Sequence, residues 1–245
     1  MIRIGIVGCG EVANFGHLPA ITSNPSLELA ALFDPSEANL NATAAKFGNP
    51  PTFKDLAGFY SVGLDAVVIA SPAPTHRENV LYAATQGVHV LCEKPISDDE
   101  DEAREMADAM AKSGKIFTIG FCYRFSSVST QIRDWVGQGV IGKVRSLRFV
   151  YIWNLHGRYR PGPDDGAWIE SPPWRGRMVE GGPMVDCGVH SVDLARMWLG
   201  TDPVRIHGEG AWVADYEAPD HMYLHLDHSC GAHTMVEMSF TFCHT

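Results

Sequence analysis

No apolar run in the 245 residues approaches the roughly 20 that cross a bilayer as a helix. Clusters of Lys or Arg are missing too, and Asp+Glu outnumber Lys+Arg by 29 to 19, for a formal charge of −10. A surface field of that sign repels phosphate polymers and anionic lipid, so neither nucleic acid nor membrane partners are expected. Internal repeats and low-complexity tracts are absent, which removes solenoid and linker architectures. The six cysteines are scattered without paired spacing, so neither a disulfide framework nor a zinc-ligand pattern is indicated. The first residues, Met1 to Val7, run directly into a buried-strand pattern without the charged, apolar and small-residue order of a signal peptide. Cytoplasm is the expected compartment.

What is present is ordinary globular composition, 45% apolar and 20% charged, enough for one large domain or two smaller ones. Short β-branched runs at 3–7, 27–33, 66–70, 88–92 and 116–121 alternate with helical stretches. That alternation predicts βαβ units and a parallel sheet covered on both faces. Ser97-Asp98-Asp99-Glu100 reads as a capping box, with Gly114 ending the helix that follows. After 122 the style changes to a helix over 128–138, an alternating strand over 143–153 and a Pro- and Gly-rich stretch over 157–182. A connection of that length predicts a functional loop over a site. A helix over 183–199 and strands over 204–213, 222–227 and 233–242 complete the chain. The Ser-Cys-Gly turn between the last two predicts antiparallel pairing. The expected fold is therefore α/β over 1–121, a Rossmann doubly wound parallel sheet. A C-terminal α+β domain follows over 122–245, with a mostly antiparallel sheet that stops short at its C-terminus.

Gly8-Cys9-Gly10-Glu11-Val12-Ala13 follows a strand and opens a helix, the context that makes G-x-G-x-x-A a dinucleotide signal. Gly8 permits the tight turn, Gly10 allows backbone approach to a pyrophosphate, and Ala13 allows close helix packing; the helix start offers N–H groups to the anion. Asp34 ends the second strand, placed to accept from adenosine ribose hydroxyls and to repel a 2′-phosphate. No Arg or Lys lies in 35–45, so NAD is favoured over NADP. Ser71-Pro72 with His76, and Glu93-Lys94-Pro95, follow later strands and lie at the carboxyl edge where open α/β sheets bind ligands. A lysine there could stabilise or exchange the proton of a substrate hydroxyl, and Pro95 could impose a rigid or cis turn. Asp186 and His190 share a helix face, with Asp193 one turn further. His221, His225, His228, Cys230, His233 and His244 crowd the end of the chain, but their spacing matches no common zinc pattern. His221 and His225 share a strand face with Tyr223 and Asp227, His228 lying opposite or in the turn, and no metal is expected. Trp168 and Trp174 could stack on a sugar or pack the loop down; Arg175 and Arg177 could bind a carboxylate or nothing.

Together the glycine loop, Ser71-Pro72 with His76, Glu93-Lys94-Pro95, Gly120-Phe121-Cys122-Tyr123-Arg124-Phe125, Val140-Ile141-Gly142-Lys143-Val144 and the run from Gly181 through Asp186 and His190 to Asp193 resemble the Gfo/Idh/MocA family of glucose-fructose oxidoreductase and inositol dehydrogenase relatives. In order and spacing they cover essentially the whole chain. The resemblance implies NAD(P) chemistry on a sugar, cyclitol or related polyol. It implies Lys94 as catalytic lysine, His190 as acid/base and Asp186 as the group orienting both the hydroxyl and that histidine. It places Gly8, Gly10, Glu11, Val12, Ala13, Asp34, Ser71, Pro72, His76, Glu93, Lys94 and Arg124 at the cofactor, and Lys94, Tyr123, Trp174, Arg175, Asp186 and His190 at the substrate. Two departures are Glu180, where the family often has a third glycine, and Cys122-Tyr123, where it has an Asn-containing turn. Family chains usually continue further, completing a sheet that commonly forms the subunit interface. A homo-oligomer through that sheet is expected if the domain is complete. The family also contains glycosidases that oxidise transiently with a retained NAD, and a non-catalytic NAD or sugar sensor would keep the same fold.

Overall fold

The computed structural model describes residues 1–153, 181–212 and 216–240, together with the backbone of 159–161 and 168–170. The chain divides into two compact units, Met1–Gly120 and Phe121–Thr245. In the first unit, β1 (Ile2–Val7), β2 (Leu27–Phe33), β3 (Thr52–Phe53), β4 (Ala66–Ile69), β5 (His89–Cys92) and β6 (Phe117–Ile119) form a six-stranded sheet in the order β3-β2-β1-β4-β5-β6. Every pair is parallel, the doubly wound arrangement whose strand order reverses beside β1. Side chains alternate between the two faces. Ile6, Leu32 and Val68 join Leu18, Ile21 and Leu40 in one core cluster, whereas Val7, Ala31, Val67 and Ile69 join Phe59, Val80 and Val90 in the other. Gly5 is small for a packing reason: a Cβ there would lie 2.4 Å from the Phe59 ring.

The helices are α1 (Leu18–Ser23), α2 (Glu37–Lys46), α3 (Leu56–Ser61), α4 (His76–Gln86) and α5 (Glu100–Ser113). A wide π turn, Ala13–His17, leads into α1. The cap of α5 corrects the expectation from sequence. Asp99, not Ser97, accepts the first-turn amide of Glu102, while the Ser97 hydroxyl accepts from Asp99 N–H and donates to the Glu102 carboxylate. Ser and Asp are comparable N-caps, so the cap shifts by two residues within an acidic run, and the Ser97 hydroxyl takes the Asp99 N–H that a capping box would give to the glutamate. Gly114 ends α5 in the left-handed region as expected. Strand β3, two residues long, has no periodicity to read.

The second unit contains α6 (Ser127–Gly137), β7 (Ser146–Ile152), the paired β8 (Tyr159–Pro161) and β9 (Trp168–Glu170), then α7 (Val189–Leu199), β10 (Pro203–Ala211), β11 (His221–His228) and β12 (His233–Ser239). Its four-stranded sheet runs β10-β11-β12-β7, antiparallel except for the parallel β12–β7 pair. Leu226, Val236 and Met238 are buried on one face. By strand alternation His221, Tyr223, His225 and Asp227 share the other, and His228 is buried on the opposite side, bonded to Thr234. The antiparallel pair β8–β9 lies inside the stretch expected to be a loop, most of which falls outside the described residues. Among the described residues no helix is long and apolar enough to cross a membrane.

Phe59 is fully buried, with ring centroids 6.0 Å from Phe33, 6.4 Å from Phe53 and 5.0 Å from Tyr60. Phe59→Ala is expected to cost about 3–5 kcal/mol in urea unfolding, and the 83% exposed Phe125 less than about 0.5 kcal/mol on the same change. Similar losses for both would contradict this core assignment.

Candidate functional site

The glycine loop is held from three sides. Gly8 has φ +92°, and a Cβ there would lie 2.6 Å from Ser71 N, so the loop after β1 is pressed against the backbone after β4. Gly8 N–H donates to the Phe33 carbonyl, and Cys9 N–H to Asp34 Oδ2 at 2.8 Å. Asp34 is buried, and its Oδ1 accepts from Ser36 N–H at 2.8 Å. Asn39 Nδ2 adds longer contacts of 3.4 and 3.5 Å to Oδ1 and Oδ2; a carboxylate has about four acceptor positions, so capacity is left for a ribose hydroxyl. The Cys9 thiol is pushed up to about 12 by burial and then by Asp34, which makes it an inert packing group. At Gly10, by contrast, a Cβ would meet nothing within 4 Å. Glu11 and Val12 are exposed, and Ala13 is fully buried. A groove of about 610 Å³ is lined by Gly10, Glu11, Asn14, Asn39, Thr43 and Lys46. The open Gly10 face, the Asp34 carboxylate and a helix start fit a dinucleotide.

Further along the same carboxyl edge, the Lys94–Pro95 peptide bond is cis. Lys94 is half-buried, and its N–H donates to its neighbour's carboxylate, Glu93 Oε2, at 3.1 Å. The other oxygen, Oε1, pairs with His17 Nε2 at 2.7 Å. Burial raises the Glu93 carboxyl, but the His17 hydrogen bond and charge, followed by the Lys94 amide and charge, outweigh it and hold the group below the ordinary carboxylate range. Glu93 also lies against Gly120, where a Cβ would come within 2.9 Å of its carboxylate. His76 is buried, with Nδ1 3.0 Å from the Pro95 carbonyl and Nε2 2.9 Å from the Ser71 carbonyl. It clips together the two loops that carry Ser71-Pro72 and Lys94; Thr75 Oγ1 bonds the Ser71 hydroxyl beside it at 2.8 Å.

In the second unit a π turn, Met184–Gly188, precedes α7 and buries Asp186, and the next turn buries His190. The imidazole of His190 is stacked on Tyr123, centroids 4.2 Å apart at 22°, and edge-on to Phe121 at 5.9 Å. Its ring plane is thereby set by aromatic contact. Arg124 forms a bidentate pair with buried Asp193, Nε to Oδ2 and Nη2 to Oδ1 both at 2.7 Å. Its guanidinium is thus engaged inside its own unit, and the partner is the aspartate one turn beyond His190. Trp174, Arg175, Arg177 and Glu180 lie outside the described residues, as do the side chain of Trp168 and all of His244. Among the described residues no group of three or more His, Cys, Asp or Glu could hold a metal ion.

Sequence reasoning missed Asn14, His17 and Thr43, which hold the glycine loop and Glu93. Asn14 and His17 are one helical turn apart, but neither carries a marker comparable to a glycine or a strand-end acid. The His17 partner lies 76 residues away, beyond any local pattern.

Residues 2–121 match the model of an oxidoreductase family with an NAD-binding Rossmann fold, and residues 129–245 match the Gfo/Idh/MocA C-terminal domain. The chain is 33% identical over 206 residues to D-glucoside 3-dehydrogenase of Escherichia coli, covering 83% of this chain and 56% of that protein. It is 30% identical over 240 residues to D-xylose 1-dehydrogenase (NADP(+)) 2 of Haloferax volcanii, covering 98% and 70%. The crystal structure of the WlbA dehydrogenase of Bordetella pertussis with NADH and UDP-GlcNAcA superposes with a TM-score of 0.82 at 25% identity, covering 99% of this chain and 68% of that one. The chain therefore spans between about half and seven-tenths of these relatives' length.

Because folding lowers the Glu93 pKa, its ionised pair adds stability that is fully present above the unfolded value of about 4.3. That stability is lost as pH falls through the folded value. Urea unfolding between about pH 5 and pH 3 should show a steeper acid loss for the native protein than for Glu93→Gln; parallel curves would contradict the pairing.

Proposed function

The chain belongs to the Gfo/Idh/MocA oxidoreductase family, and from that premise we propose that it is an NAD-dependent dehydrogenase acting on a hydroxyl of a sugar, cyclitol or related polyol. The observation that carries the cofactor half is the glycine loop, fastened through Cys9 N–H to Asp34 and open at Gly10. Two relatives are named for acting on sugars, and a third was crystallised with NADH and a nucleotide sugar acid. The preference for NAD rests on Asp34, a buried carboxylate at the end of β2, and on the lack of Arg or Lys in 35–45. A 2′-phosphate beside that carboxylate would meet like charge, with Lys46 the cation among the residues that line the groove.

Oxidation of a secondary alcohol to a ketone removes a hydride from carbon and a proton from oxygen. The bound nicotinamide supplies the hydride acceptor. The protein's task is the proton. In this proposal Lys94, at the end of β5 beside an ionised Glu93, stabilises and exchanges the hydroxyl proton. His190, its ring plane fixed by Tyr123, serves as acid/base, and Asp186 orients it and the substrate hydroxyl. Each of these roles is carried over from the family residue by residue. Arg124 is proposed to support the α7 end of the substrate domain through Asp193, in addition to any contact with the dinucleotide.

The test is absorbance of reduced nicotinamide on mixing the protein with NAD and a panel of sugars, sugar acids and inositols. Substrate-dependent reduction should fall by at least about a hundredfold in Lys94→Met, in line with the typical weight of general acid–base catalysis, while NAD affinity changes less than about threefold. Full turnover in Lys94→Met would sink the proposal.

A further inference from the structure

The loop that meets the dinucleotide is aimed by two side chains outside its motif. Asn14 Nδ2 lies 2.9 Å from the Cys9 carbonyl and 2.9 Å from the Gly10 carbonyl, and 3.0 Å from Thr43 Oγ1. Thr43, on α2, is 2% exposed, and its hydroxyl reaches the Cys9 carbonyl at 3.4 Å. The Gly10 carbonyl also accepts from Asn14 N–H at 3.1 Å. A trans peptide is planar, with its C=O and the next residue's N–H pointing in opposite directions. Drawing the Cys9 and Gly10 carbonyls toward Asn14 and Thr43 therefore turns the N–H groups of Gly10 and Glu11 the other way. Neither N–H has an acceptor among the described residues, and space is open at Gly10. Asp34 meanwhile takes the Cys9 N–H, so the donors are sorted, one to the protein and two to the open side.

We propose that Asn14 and Thr43 are positioning residues that aim the Gly10 and Glu11 N–H groups at the dinucleotide pyrophosphate. The proposal rests on the dinucleotide reading above. The π turn contributes by placing Asn14 beneath the two carbonyls while His17, one turn on, holds Glu93. An amide serves here because the acceptors are two successive carbonyls; a carboxylate at the same place would repel both.

The test is calorimetric binding of ADP-ribose, which carries the pyrophosphate without the nicotinamide, with adenosine measured by competition against it. Asn14→Leu is expected to weaken ADP-ribose about tenfold, the order expected from losing hydrogen bonds to a charged group, and adenosine less than twofold. Thr43→Val, nearly isosteric, is expected to weaken ADP-ribose about threefold, with Thr43→Ser restoring it; this pair decides the matter if Asn14→Leu does not fold. Unchanged ADP-ribose affinity in the folded Thr43→Val and Asn14→Leu variants, or an equal loss for adenosine, overturns the aiming role alone. Failure of the unaltered protein to bind ADP-ribose overturns the dinucleotide reading and this inference with it.

Discussion

The hydrogen bond from Cys9 N–H to the buried carboxylate of Asp34, 2.8 Å long, joins the ends of the adjacent strands β1 and β2 and fixes the loop between β1 and the first helix. The constraint is geometric as much as energetic. β1 and β2 are paired neighbours whose last residues, Val7 and Phe33, lie side by side, so their carboxyl ends arrive together, and the short Asp34 side chain reaches back across the gap. Gly8, pressed against Ser71, brings in the end of β4 as a third support. Beside them, His76 ties the β4 loop to the β5 loop, and His17 ties the helix entrance to Glu93. The edge that carries Gly10, Asp34, Ser71 and Lys94 is thus cross-braced by buried polar groups. In low dielectric such bonds are stronger, and expensive to leave half made.

The second unit is organised by different forces. Its sheet buries Leu226, Val236 and Met238, and Phe149 stacks on Trp198 of α7 at 5.5 Å. At the start of α7, Asp186, His190 and Asp193 are buried on successive turns, and the sheet buries further polar residues, His228 and Thr234 among them. Each has its own support, including aromatic stacking for His190 and a bidentate guanidinium for Asp193. A buried charge without a partner would be costly, and the Arg124 pair resolves that for Asp193.

The glycine loop and Asp34 were legible because a motif placed between a strand and a helix has a local physical cause. The parallel sheet, apart from the two-residue β3, was legible from short apolar runs alternating with helical stretches, and the antiparallel β10–β12 segment from alternation and a turn. Other features were not local. The parallel seat of β7 beside β12 joins residues far apart in sequence, and neither strand's pattern states its neighbour. The cap of α5 was misplaced because Ser97 and Asp99 compete with similar chemistry. Asp193 was noticed only for its spacing, since nothing in the sequence says that Arg124 closes on it. Asn14 and Thr43 were invisible for a related reason: their partners are backbone carbonyls, which every residue has.

The most direct test of the central claim is amide NMR of the isotopically labelled protein titrated with NAD. The Gly10 and Glu11 amides are expected to move strongly downfield as charge-assisted hydrogen bonds form, while Cys9, already committed to Asp34, moves little. Saturation with NAD that leaves Gly10 and Glu11 unmoved would contradict that claim.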